Sequence, residues 1–302
     1  MGFSGAGGQA MTTDTLAVPS RTISLSGTDR KSWPIGRWLL IGAVLGWFAL
    51  LILVPSLALL RQVVQGGLRA FFETLATHEV RRAFLMTLGI TALATVVNTI
   101  FGVAMALVLV RQKFLGRALL DGVVDLPFAV SPIVAGLMLV VLYGPEGWLG
   151  RVLSRTGVQV IYAVPGMIIA TVFVTVPFVV RELVPILREL GQESEQAAYT
   201  LGAGRWRTFW SVTLPSIRWG VAYGVTLTVA RSLGEFGAVL VVSGNLIGTT
   251  QTATLYIHDG IESFHTEGAY AASLVLAALS FVLLVGMELM RRRLAARQEK
   301  AI

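Results

Sequence analysis

Long apolar runs separated by short polar stretches dominate the chain, falling roughly at 38–60, 84–110, 119–143, 162–184, 217–242 and 270–290. An α-helix rises ~1.5 Å per residue, so a run of ~20 apolar residues is long enough to cross the hydrocarbon core of a bilayer. The pattern predicts six transmembrane helices with both termini on one side. Between the first two runs, Phe71, Phe72, Leu75 and Glu79 fit an amphipathic helix lying on the surface. Gly144-Pro145-Glu146-Gly147 and Ser243-Gly244-Asn245 read as turns. A short surface helix is expected before residue 160, and the segment from 245 to 268 is expected as a loop holding His258, Asp259, Glu262, His265 and Glu267. Gly42 and Gly46 form a G-x-x-x-G pair of the kind that admits close helix contact.

Residues 1–34 are rich in Gly, Ser and Thr, a composition that buries little and predicts a flexible tail. The first apolar run exceeds the ~7–15 residues of a signal-peptide core, so it reads as a membrane span.

The longest polar stretch between two runs is 191–215. Glu193, Glu195, Gln196, Ala197, Ala198 and Leu201 favour a short helix, and Gly202 suits its end because glycine accepts positive φ. Trp206, Phe209 and Trp210 then fall on one helical stripe suited to a membrane interface.

This segment resembles the "EAA" loop of ABC-importer permeases, through Gln196-Ala197-Ala198, Gly202 and Val212-Thr213-Leu214-Pro215. Gln196 stands where that family usually has Glu, with Glu195 one residue earlier, and Val212 replaces the usual Ile. Further along, Asp125-Leu126-Pro127-Phe128-Ala129-Val130-Ser131-Pro132 and Arg231-Ser232-Leu233-Gly234-Glu235-Phe236-Gly237 are similar to the sulfate/thiosulfate permeases, most of all the CysW type. Gln251-Thr252-Ala253-Thr254-Leu255 departs from them where a Leu-Pro-like pair is expected. The likeness runs from about residue 35 to the end. It implies a MetI-like permease domain over 35–302, following the tail at 1–34. It also implies that 191–215 is a cytoplasmic coupling helix, with Glu195, Gln196, Ala197, Ala198, Gly202, Leu214 and Pro215 forming the ATPase-coupling surface.

On this resemblance the chain is a non-catalytic subunit of an importer that moves sulfate or thiosulfate through the inner membrane of a bacterium. Its partners would be a CysT-type permease subunit, two ATPase subunits and a periplasmic sulfate-binding protein. The chain would bind no cofactor itself, with ATP and Mg held on the ATPase subunits. Molybdate or another tetrahedral oxyanion is the alternative substrate within the class, since molybdate permeases share the Gly-Glu-Phe-Gly element. A secondary transporter is the alternative from another class, and it would need no docking helix.

Composition agrees with a membrane protein: 55% hydrophobic residues, 14% charged, mean hydropathy +0.74. The net charge of +7 comes from Arg residues beside the apolar runs rather than from one basic face with interleaved aromatics, so it reads as a topology signal and not as a nucleic-acid surface. Of the Lys and Arg residues, 17 fall on the side of the termini and of 191–215, and 6 on the other. The positive-inside rule then places both termini and the coupling segment in the cytoplasm.

There is no cysteine, hence no disulfide and no thiol catalysis. No G-x-x-x-x-G-K-[ST] run is present to cradle phosphates. The three histidines, His78, His258 and His265, all fall in outer loops and read as surface residues rather than metal ligands.

Two charged positions, Arg231 and Glu235, interrupt the fifth apolar run. Arg231, about 13 residues or ~20 Å of helix beyond Arg218, is placed near mid-bilayer, with Glu235 one turn on. An Arg at a helix centre costs ~2.5–3.5 kcal/mol on insertion scales, so it must find a partner or a wet cavity. Two roles fit: an ion pair with Glu235, joined by Asp125, that fixes the fifth span to the third, or a positive charge lining the path of an anion. Asp121 and Asp125 share one helix face near the cytoplasmic end of the third run, where a structural helix-end role fits best.

Overall fold

In the computed structural model, which describes Gly2 and residues 34–299, every regular element is helical. The tail expected at 1–34 therefore lies outside the described residues save for Gly2 and Pro34, and Pro34 already opens the first helix, α1 (Pro34–Gln65). Proline suits a first turn because its missing N–H has no partner there in any case. The chain divides into two compact units between Leu53 and Val54, within α1, and the second unit holds every later helix.

A short amphipathic α2 (Leu68–Ala76) precedes α3 (His78–Arg111). Glu79, expected on the surface helix, instead lies in the first turn of α3, because Thr77 ends α2 and caps α3 by accepting from the Val80 N–H. The third apolar run is two helices, α4 (Arg117–Ala129) and α5 (Pro132–Tyr143), bent by 115° at Val130-Ser131. Pro132 disfavours helical backbone at Ser131, which explains why one run yields two elements. After the turn at Gly144 come α6 (Gly150–Arg155) and α7 (Val164–Glu189).

The polar segment holds α8 (Glu193–Thr200) and α9 (Arg205–Thr208), and a π-helical stretch (Phe209–Thr213) leads into α10 (Leu214–Leu233). The fifth run also breaks: α10 and α11 (Gly237–Ser243) differ in direction by 58°. Among the described residues, four helices are long and apolar enough to cross a membrane, and six spans result when each bent pair counts as one. The expected loop after Asn245 is in part a helix, α12 (Ala253–Glu262), capped by the Thr252 hydroxyl, before α13 (Thr266–Glu299).

Helix α7 is the centre of the second unit, packed against α3, α4, α10 and α11. Its buried side chains divide into two clusters. Met167, Ala170 and Val174 meet Ala238, Val239 and Val242 of α11, while Val179, Val180, Leu183 and Leu187 meet Val103, Ala106 and Leu109 of α3 and Ile217 of α10.

Glycines set the closest approach. A Cβ at Gly102 of α3 would stand 2.7 Å from the Val179 side chain, and one at Gly224 of α10 would stand 3.0 Å from the Val179 Cα. With no lipid-driven hydrophobic force between helices, such close packing is a main source of association. The pair singled out in the sequence is different: a Cβ at Gly42 or Gly46 would meet nothing within 4 Å among the described residues.

Candidate functional site

Helix α8 is held by one acidic residue. Glu195 pairs with Arg111, the last residue of α3, with Arg111 Nε 3.2 Å from Glu195 Oε2 and Nη2 donating to Oε1 at 3.2 Å. The Thr213 hydroxyl, from the π-helical stretch, donates to the same Oε1 at 2.9 Å. Arg111 also donates to the Leu187 carbonyl of α7. Both charged side chains are about five-sixths buried, at 16% and 15% exposure, so this pair is shielded from the screening that weakens surface ion pairs. One carboxylate thus ties α8 directly to α3 and the π-helical stretch, and through Arg111 to α7.

Gln196, Ala197, Tyr199 and Leu201 face outward from that anchor, and Ala198 is half-buried. Thr200 is the last helical residue. Gly202 follows at φ +83°, with its N–H donating to the Tyr199 carbonyl and the Ala203 N–H donating to the Ala198 carbonyl. These two bonds make a Schellman motif, which requires a left-handed residue at that position. Leu214 and Pro215 begin α10 where the π-helical stretch runs into it, with the Leu214 N–H donating to the Phe209 carbonyl. Trp206, Phe209 and Trp210 form a contiguous aromatic cluster with centroid distances of 5.3–6.1 Å, and Trp206 and Trp210 are exposed.

The second constellation sits at the break between α10 and α11. Arg231 Nη1 lies 2.8 Å from Glu235 Oε2, and Glu235 Oε1 accepts from the Ala238 N–H at 3.0 Å. Glu235 is outside both helices, its carboxylate spanning the bend from the last turn of one to the first turn of the other. The Thr254 hydroxyl of α12 donates to the Glu235 carbonyl, and the Phe236 ring lies 5.0 Å from that of His258.

Asp125 is not part of this group. Its carboxylate and that of Asp121 both pair with Arg181, which also donates to the Asp121 carbonyl oxygen, joining α4 to α7. An Arg partner on α7 satisfies both acids, so the ion pair expected between the third and fifth spans forms between the third and fourth instead. Among the described residues, no three His, Asp or Glu side chains gather as a metal site. His258 lies within 3.6 Å of Asp259 and 3.4 Å of Glu262.

Sequence reasoning missed Arg111 and Thr213. Arg111 looked like any basic residue at the end of a span, and only its position opposite Glu195 in the fold distinguishes it.

A family model described as binding-protein-dependent transport system inner membrane component matches residues 98–298. The chain belongs to this family. Both constellations lie inside the matched region. The chain is 46% identical over 257 residues to the sulfate transport system permease protein CysW of Synechocystis sp., covering 85% of this chain and 93% of that protein. It is 38% identical over 270 residues to the CysT permease protein of the sulfate transport system of Escherichia coli, covering 89% and 97%. Among solved structures, a chain of a bacterial alginate ABC transporter in complex with its pentasaccharide-bound periplasmic protein superposes with a TM-score of 0.73 at 21% identity, covering 86% of this chain and 96% of that one. That likeness shows the fold: this family's MetI-like permease architecture.

Proposed function

We propose that the chain is the membrane permease subunit of an ATP-driven sulfate importer and transmits movement between separate ATPase subunits and the membrane spans through α8. The similarity to CysW and CysT supports sulfate as the substrate. The observation that carries the coupling role is the inward anchoring of Glu195. With its carboxylate held by Arg111 and Thr213, a push on the exposed face of α8 reaches α3, α7 and the start of α10 without relying on the loop at 201–204.

Gln196, Ala197 and Leu201 then form the outward face for the ATPase, while Glu195 is assigned to the permease side of the joint. A CysT-type permease as second subunit, two ATPases holding ATP and Mg, and a periplasmic sulfate-binding protein complete the assembly. The excess of Lys and Arg beside α8 and the termini supports a cytoplasmic location for both, with no bond chemistry assigned to this chain.

The test is the ATPase activity of the purified complex in nanodiscs with its binding protein, challenged with sulfate, thiosulfate and molybdate. Stimulation by sulfate is expected; stimulation by molybdate alone would replace the substrate, and indifference to every oxyanion would overturn the reading.

A further inference from the structure

At the break between α10 and α11, one carboxylate does two things. Glu235 Oε2 neutralises Arg231 on the first helix, and Oε1 caps the Ala238 N–H on the second. The two ends of the pair are not equally buried: the Glu235 side chain is 2% exposed, whereas that of Arg231 is 32% exposed. The guanidinium therefore stands between a buried carboxylate and the outside of this bundle.

Arg231 lies inside the broken fifth span, and a charge within a span faces water or protein rather than hydrocarbon. A guanidinium carries five donors in a planar fork suited to oxyanions, and a single carboxylate oxygen at 2.8 Å cannot occupy them all.

Resting on the sulfate-import reading, we infer that the outer side of Arg231 is a transient site for a tetrahedral oxyanion, and that the arriving dianion competes with Glu235 for the guanidinium. Loss of one arm of the Glu235 bridge leaves the cap on α11 in place but releases it from α10. The 58° bend is the element so freed. Occupancy of the path is thereby linked to the geometry of the broken span, and the Thr254 contact to the Glu235 carbonyl carries the change to α12.

Gly234 offers a probe. It is exposed, lies between Arg231 and Glu235 at φ −94°, and a Cβ there meets nothing within 4 Å. The chain holds no cysteine, so Gly234→Cys gives a single thiol in this subunit. In the complete transporter, a water-soluble, membrane-impermeant thiol reagent is expected to label it, with labelling of this subunit read by mass. Sulfate, but not chloride at matched ionic strength, is expected to slow the reaction severalfold.

Adding Arg231→Met with Glu235→Leu removes both charges and leaves neither buried alone; labelling should continue and the sulfate effect should vanish. Adding Glu235→Gln instead keeps an acceptor for the Ala238 N–H while removing the competing charge, and should bring protection at lower sulfate. Labelling only by a lipid-soluble reagent, no effect of sulfate, protection that survives loss of Arg231, or no shift with Glu235→Gln would each overturn the inference. Uptake of sulfate is measured in parallel: uptake without protection overturns this inference alone, whereas a cysteine-free parent that takes up no sulfate overturns the reading beneath it.

Discussion

Glu195 and Arg111, 84 residues apart in the chain, meet in a largely buried ion pair that fixes α8 to the end of α3. Replacing either partner leaves the other charge short of solvent and of a counter-ion. A hydrogen bond to a charged group contributes about 1.5–3 kcal/mol, and a loss of that order is expected for Glu195→Gln or Arg111→Gln. The paired change Glu195→Gln with Arg111→Gln should cost less than the sum of the two. Thermal unfolding of the purified permease supplies the double-mutant cycle. Sulfate-stimulated ATP hydrolysis should fall in both single variants, because the joint is loosened while the outward face of α8 is unchanged. Full stimulation in Arg111→Gln would remove the pair from the coupling route.

The end of α8 tests backbone conformation separately from packing. Gly202 has φ +83°, and a Cβ there would meet nothing within 4 Å, so any penalty for a larger residue is conformational rather than steric contact. Gly202→Val puts a β-branched residue in the left-handed region and should cost at least ~1 kcal/mol; Gly202→Asn, which tolerates that region, should cost clearly less. Uptake is expected to follow the same order. Equal uptake by the valine variant and the parent would show that the turn can be remade without loss.

Orientation is checked with single cysteines. Ser263, past the end of α12, and Gly204, between α8 and α9, are both exposed, and a Cβ at Gly204 meets open space. Thr208 would be a poor choice on the same segment because it is 1% exposed. In sealed cells an impermeant maleimide should label Ser263→Cys and leave Gly204→Cys unlabelled until the membrane is permeabilised. The opposite result would reverse the topology and remove α8 from the ATPase.

The apolar runs were legible because a hydrocarbon core imposes length on any helix that crosses it. Gly202 was legible because its role is local: helix formers before it, a second glycine after it. What the runs could not reveal was where two of them break. Val130-Ser131 and Gly234-Glu235-Phe236 each have apolar sequence on both sides, and the charges in those two runs, Asp121 and Asp125 in one and Arg231 and Glu235 in the other, do not by themselves mark a bend.

Partner choice was also hidden. Arg181, Asp121 and Asp125 are all visible in sequence, yet which acid meets which base depends on α4 packing against α7. Likewise, Arg231 and Glu235 are one turn apart on paper, but the part Glu235 plays as a cap for α11 exists only because the helix ends before it.

The packing of three helices around one valine gives the last test. Val179 of α7 lies between Gly102 of α3 and Gly224 of α10, and a Cβ at Gly102 would come 2.7 Å from both Cβ and Cγ1 of Val179. That is too close for two carbons, and the valine cannot turn away from a Cβ clash by changing rotamer. Gly102→Ala must therefore push α3 off α7, and overpacking of this kind costs roughly 1–3 kcal/mol. The structure also names the remedy. Val179→Ala removes the Cγ1 atom and leaves only the Cβ contact, so the double variant should recover part of the lost stability although Val179→Ala alone is destabilising, by about 1 kcal/mol or more for a fully buried side chain. Thermal melting in detergent reads all three variants on one scale. Additive losses, with no recovery in the pair, would mean that α3 is positioned by contacts other than this one.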